Sequence, residues 1–339
     1  MEIEYAVTRL KAARSRFPSY PEFIRILQME EASAVSGLLS GSIFAREMDE
    51  LSARGAVMSP PLLLRVINAG GARLRRMMAQ LTLETLGDTG VALLMKWEIE
   101  ELKSALRYLA ARGERLDRRF AFESLVMRGE KKPLWEVRDK SLAGFIEALK
   151  EAKHPIYSAI DREAITKDPM RAELDMERYF FGSWLPSTKG LTEEAIEYLT
   201  LKLDIANMTR AMLLRDAKTP SHEAIPCYVQ GNGLVTREDF TRILEGPQDA
   251  PLVTSYKKLG VTAAKGSEIS ATIFSLEIKR GSAKKIKLKA MLEPVGVWDY
   301  ALFMEELDIM VSNLKMAVNL SMTHTPIGEA ADSFIRVAL

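Results

Sequence analysis

The sequence predicts an all-α protein that consists of three similar helical domains. Two observations indicate this class. Residues that favour helices, chiefly Leu, Ala, Glu, Arg, Met and Lys, dominate the chain, and the apolar ones recur at helical spacing. In addition, one amphipathic segment occurs three times, beginning at residues 96, 202 and 308, so the offset is 106 residues both times. Such a period in a chain of 339 residues indicates three domains.

Each copy of the repeated segment is predicted to form one long helix. The copies are KWEIEELKSALRYL at 96–109, KLDIANMTRAMLLR at 202–215 and DIMVSNLKMAVNLS at 308–321, and they align without a gap. The shared apolar columns fall at i, i+4, i+7 and i+11, which is the spacing of a buried helix stripe. In the second copy this stripe is Leu201, Ile205, Met208 and Met212.

A polar column accompanies the stripe in all three copies. It is formed by Glu101, Asn207 and Asn313, which lie beside the apolar columns on the predicted helices. We expect this column to be structural and not catalytic. The short amide of Asn207 can reach a neighbouring backbone group, and the small side chain of Ala211 lets that neighbour approach.

The period divides the chain into domains at 1–113, 114–218 and 219–339, and the third domain carries an insertion near 261–293. Polar stretches with Gly or Pro mark the two boundaries, ARGERLDRR and DAKTPSHEAIP. Each long helix is preceded by a shorter amphipathic helix and a small apolar cluster. These clusters are SIFAREM, HPIYSAI and APLVTSY.

Capping signals place several helix ends. Ser59 before Pro60 and Thr325 before Pro326 are typical helix starts. Thr192 opens the long second-repeat helix, while Thr236 with Asp239 forms a capping box for a helix that Gly246 closes. Strands are hard to find. The best candidate is IKLKAML at 286–292, which alternates for a few residues.

Composition narrows the class of protein. Basic and acidic residues number 47 and 46, so net charge gives no reason to expect nucleic acid. A single cysteine excludes disulfides within the chain and fits a reducing compartment. The N-terminus lacks a secretory h-region, and the apolar runs are far shorter than the roughly 20 residues of a membrane span. We expect a soluble protein.

Motifs for catalysis or cofactor binding are missing from the sequence. No phosphate-binding G-x-x-x-x-G-K-[ST] loop occurs, and G-N-G at 231–233 is more typical of a turn. The histidines His154, His222 and His324 are scattered, and His222 with Cys227 supplies too few ligands for zinc. Acidic pairs such as Glu100-Glu101 are expected on solvated helix faces. The sequence therefore predicts no catalytic residue, cofactor, metal or small-molecule substrate.

Two basic runs are the candidate contact residues. The first includes Arg115, Arg118 and Arg119, and the second includes Lys284, Lys285 and Lys287. They are interpreted either as solvated surface or as a docking patch for an acidic partner or anionic head groups. The 17 methionines have a similar pair of interpretations, core filling or a pliable partner groove.

Several segments together resemble a known family. EIEELK at 98–103, DIANMT at 204–209 and MVSNLK at 310–315 are similar to its recurrent acidic-Ile-x-Asn-Leu-basic motif, although the first copy has Glu101 at the Asn position. The opening YAVTRLKAARSR, the turn AIPCYVQGNGL and the ending IRVAL add to the likeness. The chain thus resembles the C subunit of archaeal and bacterial V/A-type ATP synthases, a relative of the eukaryotic V-ATPase d subunit.

The resemblance implies a funnel-like body of three pseudo-threefold-related helical domains. It also implies a non-catalytic rotor subunit that couples the central stalk to the membrane ring carrying protons or sodium ions. Its partners would be stalk and ring subunits. The chain would lie at the cytoplasmic face of the membrane as a peripheral part of the ATPase, in contact with the membrane only through the complex. The alternatives are a helical-repeat adaptor unrelated to rotary ATPases and a soluble helical enzyme.

Overall fold

The structure is a computed structural model that describes residues 1–29, 31–55, 57–112, 121–123, 134–136, 142–160, 169–247, 249–260 and 270–322. The first helices are α1 (Ile3–Arg14), α2 (Tyr20–Leu27), α3 (Ala32–Ser40), α4 (Ala45–Ser52) and α5 (Pro60–Arg112). The middle of the chain has α6 (Leu142–Glu151), α7 (Pro169–Tyr179), α8 (Leu185–Ser187) and α9 (Glu193–Asp216). The last are α10 (Ser221–Ala224), α11 (Arg237–Glu245), α12 (Ala250–Thr254), α13 (Ala271–Leu292) and α14 (Val297–Met322).

The predicted all-α class is confirmed, with two local differences. A short antiparallel pair of strands, β1 (Ala121–Glu123) and β2 (Leu134–Glu136), lies where no strand was expected. Conversely, the strand candidate at 286–292 belongs to α13. Its buried residues recur every four positions, at Phe274, Ile278, Ser282, Ile286 and Ala290, so the apparent alternation was a fragment of a helical pattern.

Helix ends follow the predicted caps where the chain is described. Helix α5 starts at Pro60, and the Thr192 side chain accepts a hydrogen bond from the amide of Ala195 at the start of α9. Thr236 and Asp239 form the capping box of α11. The predicted helix start at 325–326 lies outside the described residues.

Helix α5 is interrupted at Gly87, which has φ 53° and ψ −126°. A residue with a Cβ rarely adopts positive φ with such a ψ value, so glycine suits this position. The sequence predicted a helix start at Pro60 and a helix at 96–109, and both belong to α5, with the break at Gly87 between them. Gly87 also lies close to the point where the chain passes from one compact unit to another.

The chain forms two compact units. Unit 1 consists of Met1–Thr85, Val261–Lys265 and Thr272–Leu339. Within it, α1 and α2 pack against α14. The Arg14 guanidinium donates to Glu306 at 2.8 Å, and the rings of Phe17 and Phe303 lie 5.6 Å apart. Unit 1 thus joins the first helices to the last ones.

Unit 2 consists of Leu86–Gly260 and Gly266–Ala271. One of its long helices is α9, which packs against α11. Arg215 at the end of α9 donates to the carbonyl oxygens of Ile243 and Gly246, at 2.9 and 3.1 Å. These bonds satisfy the last carbonyls of α11 and fix it to α9.

The three repeated helices bury their predicted stripe. Leu201, Ile205, Met208 and Met212 are all buried in α9, and the equivalent residues in α5 and α14 are buried as well. Met78 and Met310 are also core residues, which agrees with the core-filling interpretation of the methionines. The division into three domains at 1–113, 114–218 and 219–339 is not decided by the two units, and it stays a prediction. Across the described residues, no helix combines the length and apolar character that crossing a bilayer requires.

Candidate functional site

Two buried polar side chains of α9 hold the loop that follows α10. Asp204 accepts hydrogen bonds from the amides of Leu234 and Val235, both at 2.9 Å. Asn207 donates to the Val229 carbonyl at 2.9 Å and accepts from the Val229 amide at 3.0 Å. Asn207 is fully buried, so the prediction that it bonds a neighbouring backbone group is confirmed. We call this set the α9 junction.

The G-N-G segment lies within the α9 junction. A Cβ added to Gly233 would stand 2.2 Å from an Asp204 carboxylate oxygen, so only glycine allows the loop to approach this closely. The neighbouring Tyr228 hydroxyl donates to the Val235 carbonyl at 2.9 Å. Burial, with the nearby charges of Asp204 and Asp239, raises the pKa of Tyr228. The segment is therefore a packed turn, as the sequence indicated.

A cluster of charged side chains lies next to the α9 junction, and we call it the charge cluster. Its members are Lys96, Glu100, Lys103, Glu177 and Arg210. Glu177 of α7 accepts from both Lys103 and Arg210, and Lys103 lies 3.0 Å from Glu100. Arg210 also donates to the Asn207 side chain at 3.0 Å, which links the cluster to the junction.

Mutual pairing keeps most of the charge cluster ionised. Burial alone would raise the pKa of Glu177, but the charges of Lys103 and Arg210 prevail and lower it to about 2. Burial likewise opposes the charge on Lys103, yet Glu100 and Glu177 raise its pKa above the ordinary value. For Lys96 burial prevails over Glu100, and its pKa is lowered. The cluster therefore behaves as a set of structural ion pairs.

The described histidines, His154 and His222, are not brought together with Cys227. His154 is buried against Glu98, with Nε2 and Oε1 2.7 Å apart, and its Nδ1 accepts from the Ile156 amide. His222 is exposed, and the Cys227 thiol donates to the Glu223 carbonyl at 3.5 Å. Within the described ranges, no group of three or more His, Cys, Asp or Glu is placed to hold a metal ion. His324 lies outside those ranges.

A cavity of about 510 Å³ opens beside the α9 junction. Its polar lining includes Arg178, Arg237, Tyr228 and Gln230. The Arg178 guanidinium is already engaged, since it donates to the Pro226 carbonyl and to Asp175. Among the described lining residues there are two arginines and a tyrosine but no carboxylate or histidine.

The C-terminal end of α13 differs from the α9 junction, because it exposes apolar side chains to solvent. Leu288 is 56% exposed, Met291 70% and Leu292 69%, and Val295 in the following turn is 37% exposed. Lys284 and Lys287 precede Leu288 and Met291 by four residues, and Lys285 precedes Leu288 by three, so the lysines flank the apolar residues on the helix. These seven residues, Lys284, Lys285, Lys287, Leu288, Met291, Leu292 and Val295, are here called the α13 tip.

Several contacts hold the α13 tip in place. Lys289 lies over the Trp298 ring, 5.4 Å from its centroid, and pairs with Glu293 at 3.5 Å. Val295 has φ 67°, an unfavourable left-handed conformation for a β-branched residue. Its amide donates to the buried Asp299 carboxylate at 2.9 Å, which fixes the turn against the start of α14.

The structure describes half of the predicted contact residues, and their role as contacts stays a prediction. Lys284 is exposed, while Lys285 and Lys287 are partly buried, and all three belong to the α13 tip. Arg115, Arg118 and Arg119 lie outside the described residues. The exposure of the apolar part of the tip was not predicted, because Leu288, Met291 and Leu292 resemble ordinary core residues of a helix. The charge cluster was not predicted either, because its members come from three helices.

The fold and its surface indicate the general class of protein. Buried polar groups serve packing, and an apolar, basic tip is exposed, which is typical of a helical protein that assembles with other molecules. The family model of the ATP synthase (C/AC39) subunit matches residues 6–305. Because the match covers most of the chain, this chain belongs to that family. A comparison with curated proteins finds no match.

Proposed function

We propose that this chain is a non-catalytic rotor subunit of a V/A-type ATP synthase that couples the central stalk to the ion-carrying membrane ring. The observation that carries the proposal is the family match over residues 6–305. Membership in an ATP synthase subunit family gives the chain partners within that complex. We further propose that the chain couples the stalk to the ring and that it lies at the cytoplasmic face of the membrane.

The internal contacts of unit 2 support a mechanical role. A part that transmits torque needs elements that keep their positions under load. Asp204 and Asn207 tie the loop to α9 through four hydrogen bonds between side chain and backbone. Glu177 ties α7 to both α5 and α9 through ion pairs. Buried polar contacts of this kind are costly to break, so they favour one fixed arrangement.

The two alternatives receive less support. An adaptor unrelated to rotary ATPases does not agree with membership in an ATP synthase subunit family. A helical enzyme would need a convergent set of acid, base or nucleophile. The polar groups of the α9 junction and the charge cluster are instead engaged with one another, as far as the chain is described.

Assembly with the stalk tests the proposal. The full chain is co-expressed with the central-stalk subunits of the same synthase and applied to a sizing column. We expect co-elution at low salt through an interface above about 1,000 Å². Association should slow as salt is added, since exposed charges are screened beyond a Debye length of roughly 8 Å at physiological ionic strength. Separate elution at low salt would remove the main support for the rotor role.

Calorimetric titration with Mg-ATP tests the non-catalytic part of the proposal. We expect no saturable heat from the full chain. The stalk complex, measured in the same way, shows whether assembly creates a site. A micromolar site on the isolated chain would favour the enzyme alternative.

A further inference from the structure

We infer that the α13 tip contacts the surface of an anionic lipid bilayer. This inference rests on the proposed function, because that function places the chain next to a membrane. It departs from the expectation that the chain meets the membrane only through the complex. The partner it names is the lipid head-group region, with the apolar side chains inserted shallowly between head groups.

The first support is the exposure of the apolar side chains. Leu288, Met291 and Leu292 are each more than half exposed although α13 has a buried face of its own. Single exposed apolar residues are normal, but three on adjacent helix positions, followed by Val295, form a contiguous patch. Such a patch at the end of a helix indicates a surface that is covered in the working protein.

The second support is the charge around the patch. Between Lys279 and Gly296 the chain has six basic residues, and Glu293 is the single acidic one. Lys284, Lys285 and Lys287 lie one helical turn before the exposed apolar residues. Lysine next to shallowly inserting apolar side chains is the combination that binds anionic head groups.

The third support is the turn conformation. Val295 keeps a positive φ even though glycine would adopt it without a steric penalty. A strained residue persists where the surrounding structure fixes it, and it is more frequent at binding sites than elsewhere. Here the bond from its amide to Asp299 fixes Val295, an exposed apolar residue three positions after Leu292 and past the end of the helix.

The size of the surface favours lipid over a protein partner. The α13 tip contains seven side chains, while a standard protein interface uses roughly 20–30 residues on each side. A fluid bilayer needs no shape complementarity, and a few apolar side chains together with lysines suffice for reversible binding.

Flotation of the purified full chain with vesicles tests the inference. The vesicles contain either phosphatidylcholine alone or equal parts of phosphatidylcholine and phosphatidylserine. We expect binding to the anionic vesicles at low salt and its loss at about 1 M salt, where the Debye length is roughly 3 Å. Equal binding to both vesicles, or to neither, would overturn the inference.

Variants of the α13 tip locate the contact. Lys284→Gln alone should lower the partition coefficient roughly fivefold, and the triple change at Lys284, Lys285 and Lys287 on the order of a hundredfold. The change of Leu288, Met291 and Leu292 to serine should also abolish binding. Each variant is first checked by thermal melting, and Lys284→Gln keeps the test valid if a triple variant is unstable, because Lys284 is exposed.

The matched control removes the same charge elsewhere. Lys189, Lys218 and Lys257 are exposed residues of unit 2, and their change to glutamine should leave vesicle binding unchanged. If the control weakens binding as much as the tip variants, the α13 tip is not the contact. If tip variants bind vesicles normally but lose a ring or stalk subunit, the surface takes a protein partner and the inference fails. Loss of stalk co-elution with vesicle binding intact would instead reject the rotor role alone.

Discussion

The α9 junction and the α13 tip use polar and apolar groups in opposite ways. At the junction, Asp204 and Asn207 are buried, and their side chains bond to backbone groups of the loop. At the tip, Leu288 and Met291 are exposed beside lysines. Both arrangements depart from the usual distribution, in which polar groups lie outside and apolar groups inside.

The difference indicates two kinds of task. A buried polar group that is fully bonded specifies one arrangement, and its loss leaves the partner unsatisfied. A contiguous patch of exposed apolar side chains contributes little to the stability of the isolated chain, and it indicates contact with another molecule. Mutations should therefore change stability at the α9 junction and the charge cluster, and binding at the α13 tip.

The largest effect is expected at Glu177. Glu177→Gln removes the charge that pairs with Lys103 and Arg210 and leaves both cations in a buried environment. Breaking a buried pair in this way costs about 3–5 kcal/mol. Urea unfolding of the full chain measures the change.

Glu173→Gln is the matched control for that variant. Glu173 pairs with Arg107, which is 62% exposed, and such pairs contribute about 0–1 kcal/mol. Equal losses in the two variants would mean that burial does not decide the strength of these pairs.

Acid should weaken the charge cluster. The pKa of Glu177 falls from 4.5 to about 2 on folding, so the folded chain binds fewer protons than the unfolded chain between these values. Its contribution, of order 3 kcal/mol, is fully present above about pH 4.5 and is lost as the pH falls towards 2. We expect the urea midpoint of Glu177→Gln to change less than that of the wild type over this range. If the urea midpoints of the variant and the wild type fall equally with pH, the lowered pKa does not belong to Glu177.

Asn207→Ala should have an intermediate effect. The change leaves the amide and carbonyl of Val229 without their side-chain partner, which costs about 1–3 kcal/mol. Ile205→Ala, at a position of the buried stripe on the same helix, removes buried apolar volume. It should lower the free energy of unfolding by about 2–5 kcal/mol. Thermal melts and a stalk pull-down on the same samples check the structural role. Unchanged stability with lost stalk binding in Asn207→Ala would show that the side chain contacts a partner.

The smallest effect, with the opposite sign, is expected at Val295. Val295→Gly relieves the left-handed strain and should raise stability by up to about 1 kcal/mol. The comparison variant is Lys218→Gly, since Lys218 has φ 53° and is exposed but not β-branched, so its gain should be smaller. The melting temperatures of the two variants measure both changes in stability. A loss of stability in Val295→Gly would mean that Val295 packs as a core residue.

The elements most accurately predicted from the sequence are those whose signals are local. Thr192 and the apolar period fixed the start and the buried face of α9, and the Thr236 capping box fixed the start of α11. The break at Gly87 was missed because a single glycine in a helical pattern is usually tolerated. The strands at 121–123 and 134–136 are too short to show a period.

The sites were less predictable because they depend on residues distant in the sequence. Lys103 and Glu177 are separated by 74 positions, and each alone is typical of a solvated helix face. The lysines of the α13 tip were identified as contact candidates from the charge run. The adjacent Leu288 and Met291 were not, because exposure depends on which helix faces are covered in the fold.

The composition of unit 1 has a consequence for the order in which the protein folds during synthesis. Unit 2 is built mainly from one continuous segment, 86–260, and its contacts can form as soon as that segment leaves the ribosome. Helices α1 and α2 leave it earlier but pack on α14, which is made more than two hundred residues later. The surfaces of these two helices that pack on α14 therefore stay uncovered or shielded by a chaperone until translation reaches α14.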